Sequence, residues 1–277
     1  MLSFIVCSLA AIVLAPLGGR YLFRRRVARD VTTLLSTTMS SVGPQQLVAR
    51  RDSLPEPVQR YLHFAIEVGA LATRTVRLEH GGTFRAKPEQ RWLPIRGVEY
   101  FTAATPGFVW SASIHPAPLM WIDARDRLHN RRGNMLVKLE SLFTIADAGG
   151  PEIDQGASLR WLAEAVWFPY AFAGDAIRWQ PVSGGAARAT LVQNGAPVVA
   201  TLEFDAEGRV VLIRGERYRD VGGSEPVLTP WLGRCSGYRK FGRFHVPAHV
   251  EVAWVVDGVE FAYARFDVTA IDYNVAG

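Results

Sequence analysis

From Arg74 to the C-terminus, apolar and polar residues alternate in short runs that turn-forming residues interrupt again and again. In "PVVATLEF" the alternation puts Val198, Ala200, Leu202 and Phe204 on one side, and in "VEVAWV" it does the same for Val250, Val252, Trp254 and Val256. A period of two is that of a strand with one buried face. The interruptions are "TPG" at Thr105 to Gly107, "SGG" at Ser183 to Gly185, Asn194-Gly195 and Asp257-Gly258. Asn-Gly and Asp-Gly accept the positive φ angles of two-residue hairpins, so neighbouring strands are antiparallel. Dividing the chain at these signals predicts about ten to twelve strands, more than a flat open sheet carries without curling. The expected fold is α+β, with a strongly curved antiparallel sheet or incomplete barrel.

One segment inside this region has a helical period instead. After "ADAGGPEID", where Asp154 is a candidate N-cap and Glu152 adds charge at the positive end, comes "RWLAEAVWFPYAF", Arg160 to Phe172. Leu159, Leu162, Ala163, Val166, Trp167 and Tyr170 form one helical face, and Trp161, Ala165, Phe168 and Phe172 another. A helix apolar nearly all round is buried, so it is expected to fill the concave face of the sheet. Its two charges, Arg160 and Glu164, are one turn apart in the weaker order for a helical pair. Partners on the sheet are therefore expected, since an unpaired buried charge costs several kcal/mol. Two readings stay open: a lock that holds the helix in register, or a ligand site. For the second, Arg160, Trp161, Glu164, Trp167 and Trp231 are the candidate ligand-binding residues, in a cavity that would suit a lipid or polyprenyl tail.

The first 23 residues are uncharged up to Leu17 and mostly apolar, about the length a spanning helix needs. Five arginines follow in one ten-residue window without an acid: Arg20, Arg24, Arg25, Arg26 and Arg29. They account for the net charge of +5, leaving 26 basic against 26 acidic residues elsewhere. A basicity so local points to lipid headgroups and argues against a nucleic-acid face. Positive charge after the apolar run favours an anchor over a cleaved signal. It also predicts a single-pass inner-membrane protein with its main domain in the cytoplasm, whereas cleavage would place that domain in the periplasm. The expected organisation is a transmembrane anchor over 1–23, a basic juxtamembrane helix or linker over 24–52, and one β-rich domain over 53–277. That domain opens on a helix within "SLPEPVQRYLHFAIEVG", with Ser53 and Glu56 spaced as a capping box. Val58, Tyr61, Leu62, Ala65 and Ile66 form its apolar stripe, and His63 lies off it.

Other chemistry finds little support. Cys7 and Cys235 lie too far apart in character to form a disulfide, and no cysteine cluster suggests a metal. "GRCSG" at Gly233 to Gly237 has the outline of a nucleophile elbow but is followed by a strand pattern. His245 and His249 would be roughly 13 Å apart on a strand, too far to share an ion. His80, His115 and His129 are scattered, and Trp110, Trp121 and Trp179 read as core. No phosphate loop or dinucleotide motif is present, and no cofactor is expected.

The phrases "YFTAATPGFVW", "KLESLFTIADA", "RWLAEAVWFP", "TPWLG" and "HVEVAW" occur in this order. Together they resemble a bacterial domain-of-unknown-function family, the DUF6544 and DUF6920 type, over roughly Leu54 to Tyr273. The resemblance implies one domain and brings no catalytic residue. The strand pattern is also similar to the half-barrels of LolA-type lipoprotein carriers, which implies an apolar cavity under a curved sheet. The leading expectation is a non-enzymatic, membrane-tethered protein that binds a lipid or amphiphile, with the bilayer as its other partner and protein partners left open. The alternatives are a hydrolase or transferase using Glu164 as acid or base, and a membrane-associated scaffold.

Overall fold

The computed structural model describes residues 2–36, 51–192, 197–223 and 225–276, with side chains from Ala15 onward in the first stretch. The Asn194-Gly195 hairpin and residues 37–50 of the expected linker lie outside the described residues. Two meanders make up the sheet. The first contains β1 (Thr75–Phe84), β2 (Leu93–Thr102), β3 (Gly107–Ala117), β4 (Met120–His129), β5 (Arg132–Leu139) and β6 (Phe143–Gly149). The second contains β7 (Ile177–Val182), β8 (Ala186–Leu191), β9 (Val198–Phe204), β10 (Val210–Arg219), β11 (Val227–Phe241), β12 (Phe244–Val256) and β13 (Val259–Tyr273). Antiparallel pairing of β1 with β13 joins them into one sheet of order 6-5-4-3-2-1-13-12-11-10-9-8-7.

Three helices accompany the sheet: α1 (Leu2–Ser36), α2 (Glu56–Ala65) and α3 (Pro151–Glu164). The chain leaves the sheet at one edge, β6, and re-enters at the other, β7, and α3 belongs to that crossing. It touches β4, β5 and β6 on one arm and β8, β9 and β10 on the other, so the sheet wraps around it. Two glycines let it come close to both arms. A Cβ on Gly133 of β5 would lie 2.6 Å from the Ile153 carbonyl oxygen, and one on Gly215 of β10 would lie 2.9 Å from the Leu159 methyls.

Several expectations need correction. Among the described residues the sheet has 13 strands and is open at β6 and β7, where a strongly curved sheet or incomplete barrel of about ten to twelve strands was expected. The additional strands come from hairpins turned on Asn130-Arg131 and Glu140-Ser141, all four at positive φ without a glycine, which the usual turn signals do not reveal. Among the described residues no helix is long and apolar enough to cross a membrane. That finding overturns the transmembrane span over 1–23 and the single-pass inner-membrane location. The physical reason is charge: from Ala15 on, where its side chains are described, α1 carries Arg20, Arg24, Arg25, Arg26, Arg29 and Asp30, which a bilayer interior disfavours. Its second half is docked on the sheet, with Phe23, Leu34 and Leu35 buried. Asp30 reaches Arg127 at 2.9 Å and the fully buried Arg125 at 3.3 Å.

Helix boundaries also differ. The N-cap of α2 is Pro55, two residues beyond the expected Ser53. Val58, Tyr61, Leu62 and Ala65 of its expected stripe are buried and His63 is exposed, whereas Ile66 is an extended C-cap and only partly buried. Helix α3 starts at Pro151, its Asp154 carboxylate accepting the Gly133 N–H instead of capping the helix. It stops at Glu164, and Ala165–Trp167 and Pro169–Ala173 continue as 3-10 turns. Pro169 lacks the N–H that an α-helical ladder would use there. Carbonyls freed by the tighter winding are taken by the surrounding rings. Tyr61 donates to Val166 O at 2.7 Å, Tyr273 to Trp167 O at 2.9 Å, and the Trp179 indole to Phe172 O at 2.8 Å.

Candidate functional site

Two places concentrate chemistry: an ion cluster around Arg160 inside the sheet, and a groove between α1 and the sheet's outer face.

At the last turn of α3, Arg160 points toward β2 and β4. Its Nη2 donates to both oxygens of Glu99, at 3.0 and 2.9 Å, and its Nη1 to Asp126 Oδ2 at 3.1 Å. Its Nε donates to Glu164 Oε1 at 2.9 Å. The guanidinium also lies 4.9 Å from the ring centres of both Phe108 and Trp110, a cation–π geometry on each. Burial pulls the Arg160 pKa down, but Glu164, Glu99 and Asp126 together outweigh it and raise it. Burial pushes Glu99 well above the usual carboxylate range, against the pull of Arg160 and with repulsion from Glu164 adding to it. Glu164 is raised for the same first reason, against the pull of Arg160. The pair therefore retains a proton where ordinary carboxyls have lost theirs.

A neutral histidine backs the cluster. The Trp110 indole donates to His80 Nε2 at 2.8 Å, and His80 Nδ1 faces Gly81 O at 3.1 Å, which fits an imidazole protonated on Nδ1 alone. Burial lowers its pKa to about 4, with the nearby Arg160 charge acting in the same direction.

Of the five candidate ligand residues, Arg160, Glu164, Trp167 and Trp231 line one cavity, of about 30 Å³. That is room for roughly one water. Trp161 lies apart, fully buried with its indole on Thr102 O at 2.9 Å. The Trp167 and Trp231 indoles are likewise engaged, by Pro247 O and the Tyr263 hydroxyl, both at 3.0 Å. Two cluster members escaped the sequence reading, Glu99 and Asp126. Their signal lay in the alternation: Glu99 takes the inward place between Ile95 and Phe101, and Asp126 the one between Ala124 and Leu128.

Remaining candidates are placed plainly. Cys235 sits mid-strand in β11, where burial pushes its thiol up to about 12, so it is not an activated nucleophile. His245 stacks on Phe64 and His249 pairs with Asp267 at 2.5 Å. Among the described residues no cluster of three or more His, Cys, Asp or Glu has the geometry of a metal site.

The groove is far larger, about 830 Å³. One wall is a stripe of α1, Phe23, Val27 and Val31 with Arg24 beside them, residues four apart and hence aligned. The opposite wall is formed by residues that alternate with the core on β1 to β3, including Arg77, Arg96, Val98 and Tyr100. Its acids are engaged: Glu79 pairs with Arg77, and Asp123 accepts from the Ser113 and Ser141 hydroxyls. Arg24 and Arg96 have no ionic or hydrogen-bond partner among the described residues, and both are exposed.

The class that fold and sites define is an antiparallel sheet protein wrapped about a buried helix, with a buried ion cluster inside and a cationic groove outside. The chain belongs to the family of unknown function DUF6544, whose model matches residues 46–266, as the sequence phrases implied. No curated protein matches it. Among solved structures it is similar to a LolA superfamily protein from Nitrosomonas europaea, at 11% identity over 86% of this chain and 96% of that one, TM-score 0.42. It is also similar to a DUF1329 family protein from Desulfovibrio piger, at 12% identity over 84% and 95%, TM-score 0.41. A putative outer membrane lipoprotein-sorting protein domain from Vibrio parahaemolyticus follows, at 9% identity over 83% and 91%, TM-score 0.38.

Proposed function

We propose that the protein binds an amphiphile with an anionic head in the groove between α1 and the outer face of β1 to β3. One observation carries this reading: a groove of about 830 Å³ joins the apolar stripe Phe23, Val27 and Val31 to two exposed cations, Arg24 and Arg96, that have no ionic or hydrogen-bond partner among the described residues. Its volume lies in the range of small-molecule sites. An acyl chain would lie along the stripe, displacing water from apolar surface, and its head would meet the two guanidiniums. Under this reading the Arg160 cluster is a lock. A space of about 30 Å³ beside Glu164 holds no organic substrate, while four charged groups on three elements fix where α3 sits.

Oleate and oleyl alcohol share a tail and differ in the charge of the head. Native mass spectrometry of the full chain should show a one-to-one adduct with oleate. Reversing one cation, Arg96→Glu, should weaken oleate binding about fivefold to tenfold and leave oleyl alcohol unchanged. If neither ligand forms an adduct, or the variant binds oleate as the wild type does, the groove is not an amphiphile site.

A further inference from the structure

Three separate elements bring large apolar side chains into water at one end of the molecule. On α1, Leu17, Tyr21 and Leu22 are 56%, 60% and 66% exposed. In the β3–β4 turn, Leu119 is 95% and Met120 43% exposed. At the start of edge strand β6, Phe143 and Ile145 are 66% and 58% exposed. Contacts beneath them tie these elements together. The Arg20 guanidinium of α1 lies 5.1 Å from the Trp121 ring, next in sequence to Met120. The Trp121 indole donates to Ser141 Oγ at 3.0 Å. Leu142, which precedes Phe143, comes so near Gly19 that a Cβ there would lie 2.8 Å from its methyl.

Leu119 is the most telling of these side chains. Its φ is +62°, a region that favours glycine. A leucine there accepts backbone strain and gains no burial in return, so its return comes from outside the protein. The charge beside these side chains is mainly basic: Arg20 lies against Trp121, and Arg26 and Lys138 flank Leu22 and Leu142, with Glu140 of the β5–β6 turn as an acid near them. Apolar tips of this size with long basic side chains beside them are complementary to a surface with an apolar interior and anionic heads.

We infer that this end, with Leu119, Phe143 and Ile145 beside Leu17, Tyr21 and Leu22, is a docking face for the surface of an anionic lipid bilayer. The contact is with the interface and does not require a helix that crosses it. It goes beyond amphiphile binding in the groove, since its apolar residues line no part of that groove.

The test uses the full chain with Cys7→Ser and a single environment-sensitive fluorophore on Leu119→Cys. The control carries the fluorophore on Val68→Cys, 96% exposed at the end of α2, in the same background. Vesicles are phosphatidylcholine alone or phosphatidylcholine with about one-third phosphatidylglycerol. The expected result is a blue shift at position 119 with the anionic vesicles only, no shift at position 68, and about tenfold weaker vesicle binding when salt is raised from about 0.1 to 0.5 M. The pair Leu119→Asp, Phe143→Asp should lose about tenfold or more in vesicle binding with its melting temperature unchanged, because both side chains lie in water. Three outcomes would overturn the inference: no vesicle binding, vesicle binding with position 119 unshifted, or full binding by the double variant. The first would leave the face to a protein partner. Arg96→Glu separates this inference from the groove, for it should reduce oleate binding and leave vesicle binding intact.

Discussion

Arg160 is 12% exposed and has three carboxylates within 3.1 Å, two of them, on Glu99 and Asp126, nearly removed from water. Such a cluster holds only if its charge balance is adjusted, and the adjustment is a retained proton. Glu99 has a folded pKa well above its unfolded one, because burial disfavours the anion. The native state then binds a proton that the unfolded chain has released, so stability falls as pH rises from the ordinary carboxylate range toward the folded value. Glu99→Gln, a neutral isostere, should flatten that fall. Melting curves of both proteins between about pH 5 and 9 would show the variant gaining on the wild type as pH increases; parallel curves would mean that Glu99 is ionised throughout. At this scale the sequence was half legible. Arg160 and Glu164 stood out because charge is rare in an apolar helix. Glu99 and Asp126 did not, since an acid in an alternating strand belongs to the inner or outer face only once the register is known.

Among the elements, α3 shows how backbone space and side-chain size are matched. Gly215 in β10 would normally weaken a strand, yet it faces Leu159, which is 1% exposed. Gly215→Val improves strand propensity but forces two branched side chains into one place. It should cost about 1–3 kcal/mol by overpacking. Gly81→Val in β1, where nothing lies within 4 Å of the added Cβ, should cost far less. Chemical denaturation of both variants measures the difference, and equal losses would show that α3 can shift away. The apolar character of Arg160 to Phe172 was legible, and all its large rings except Tyr170 are buried. Its change from α to 3-10 winding at Ala165 was not, because the donors that make it tolerable, Tyr61 and Tyr273, lie about one hundred residues away in the chain. The docking of α1 was hidden for a similar reason. An apolar run followed by arginines reads as a membrane segment, and only the sheet supplies Arg125 and Arg127 for Asp30.

At the level of the whole molecule, the sheet is completed by its last strand. Strand β13 is bonded to β1 on one side and β12 on the other, so the two meanders meet only through it. A chain lacking Val259–Gly277 should therefore lose its cooperative unfolding transition and become sensitive to protease, as buried Ala264, Val268 and Ile271 are removed and two long edges open. A truncated chain with one sharp transition would show that the meanders stand without the seam. Alternation and turn residues by themselves determined an antiparallel, strand-rich chain, and helical periodicity with hydrophobicity determined which segment would be buried; these are local properties, written in neighbouring residues. The tertiary structure alone decided the strand order, the open edges, the place of α1, and which acids surround Arg160. Each of those depends on groups distant in sequence, whose approach is set by register and close packing across the whole sheet.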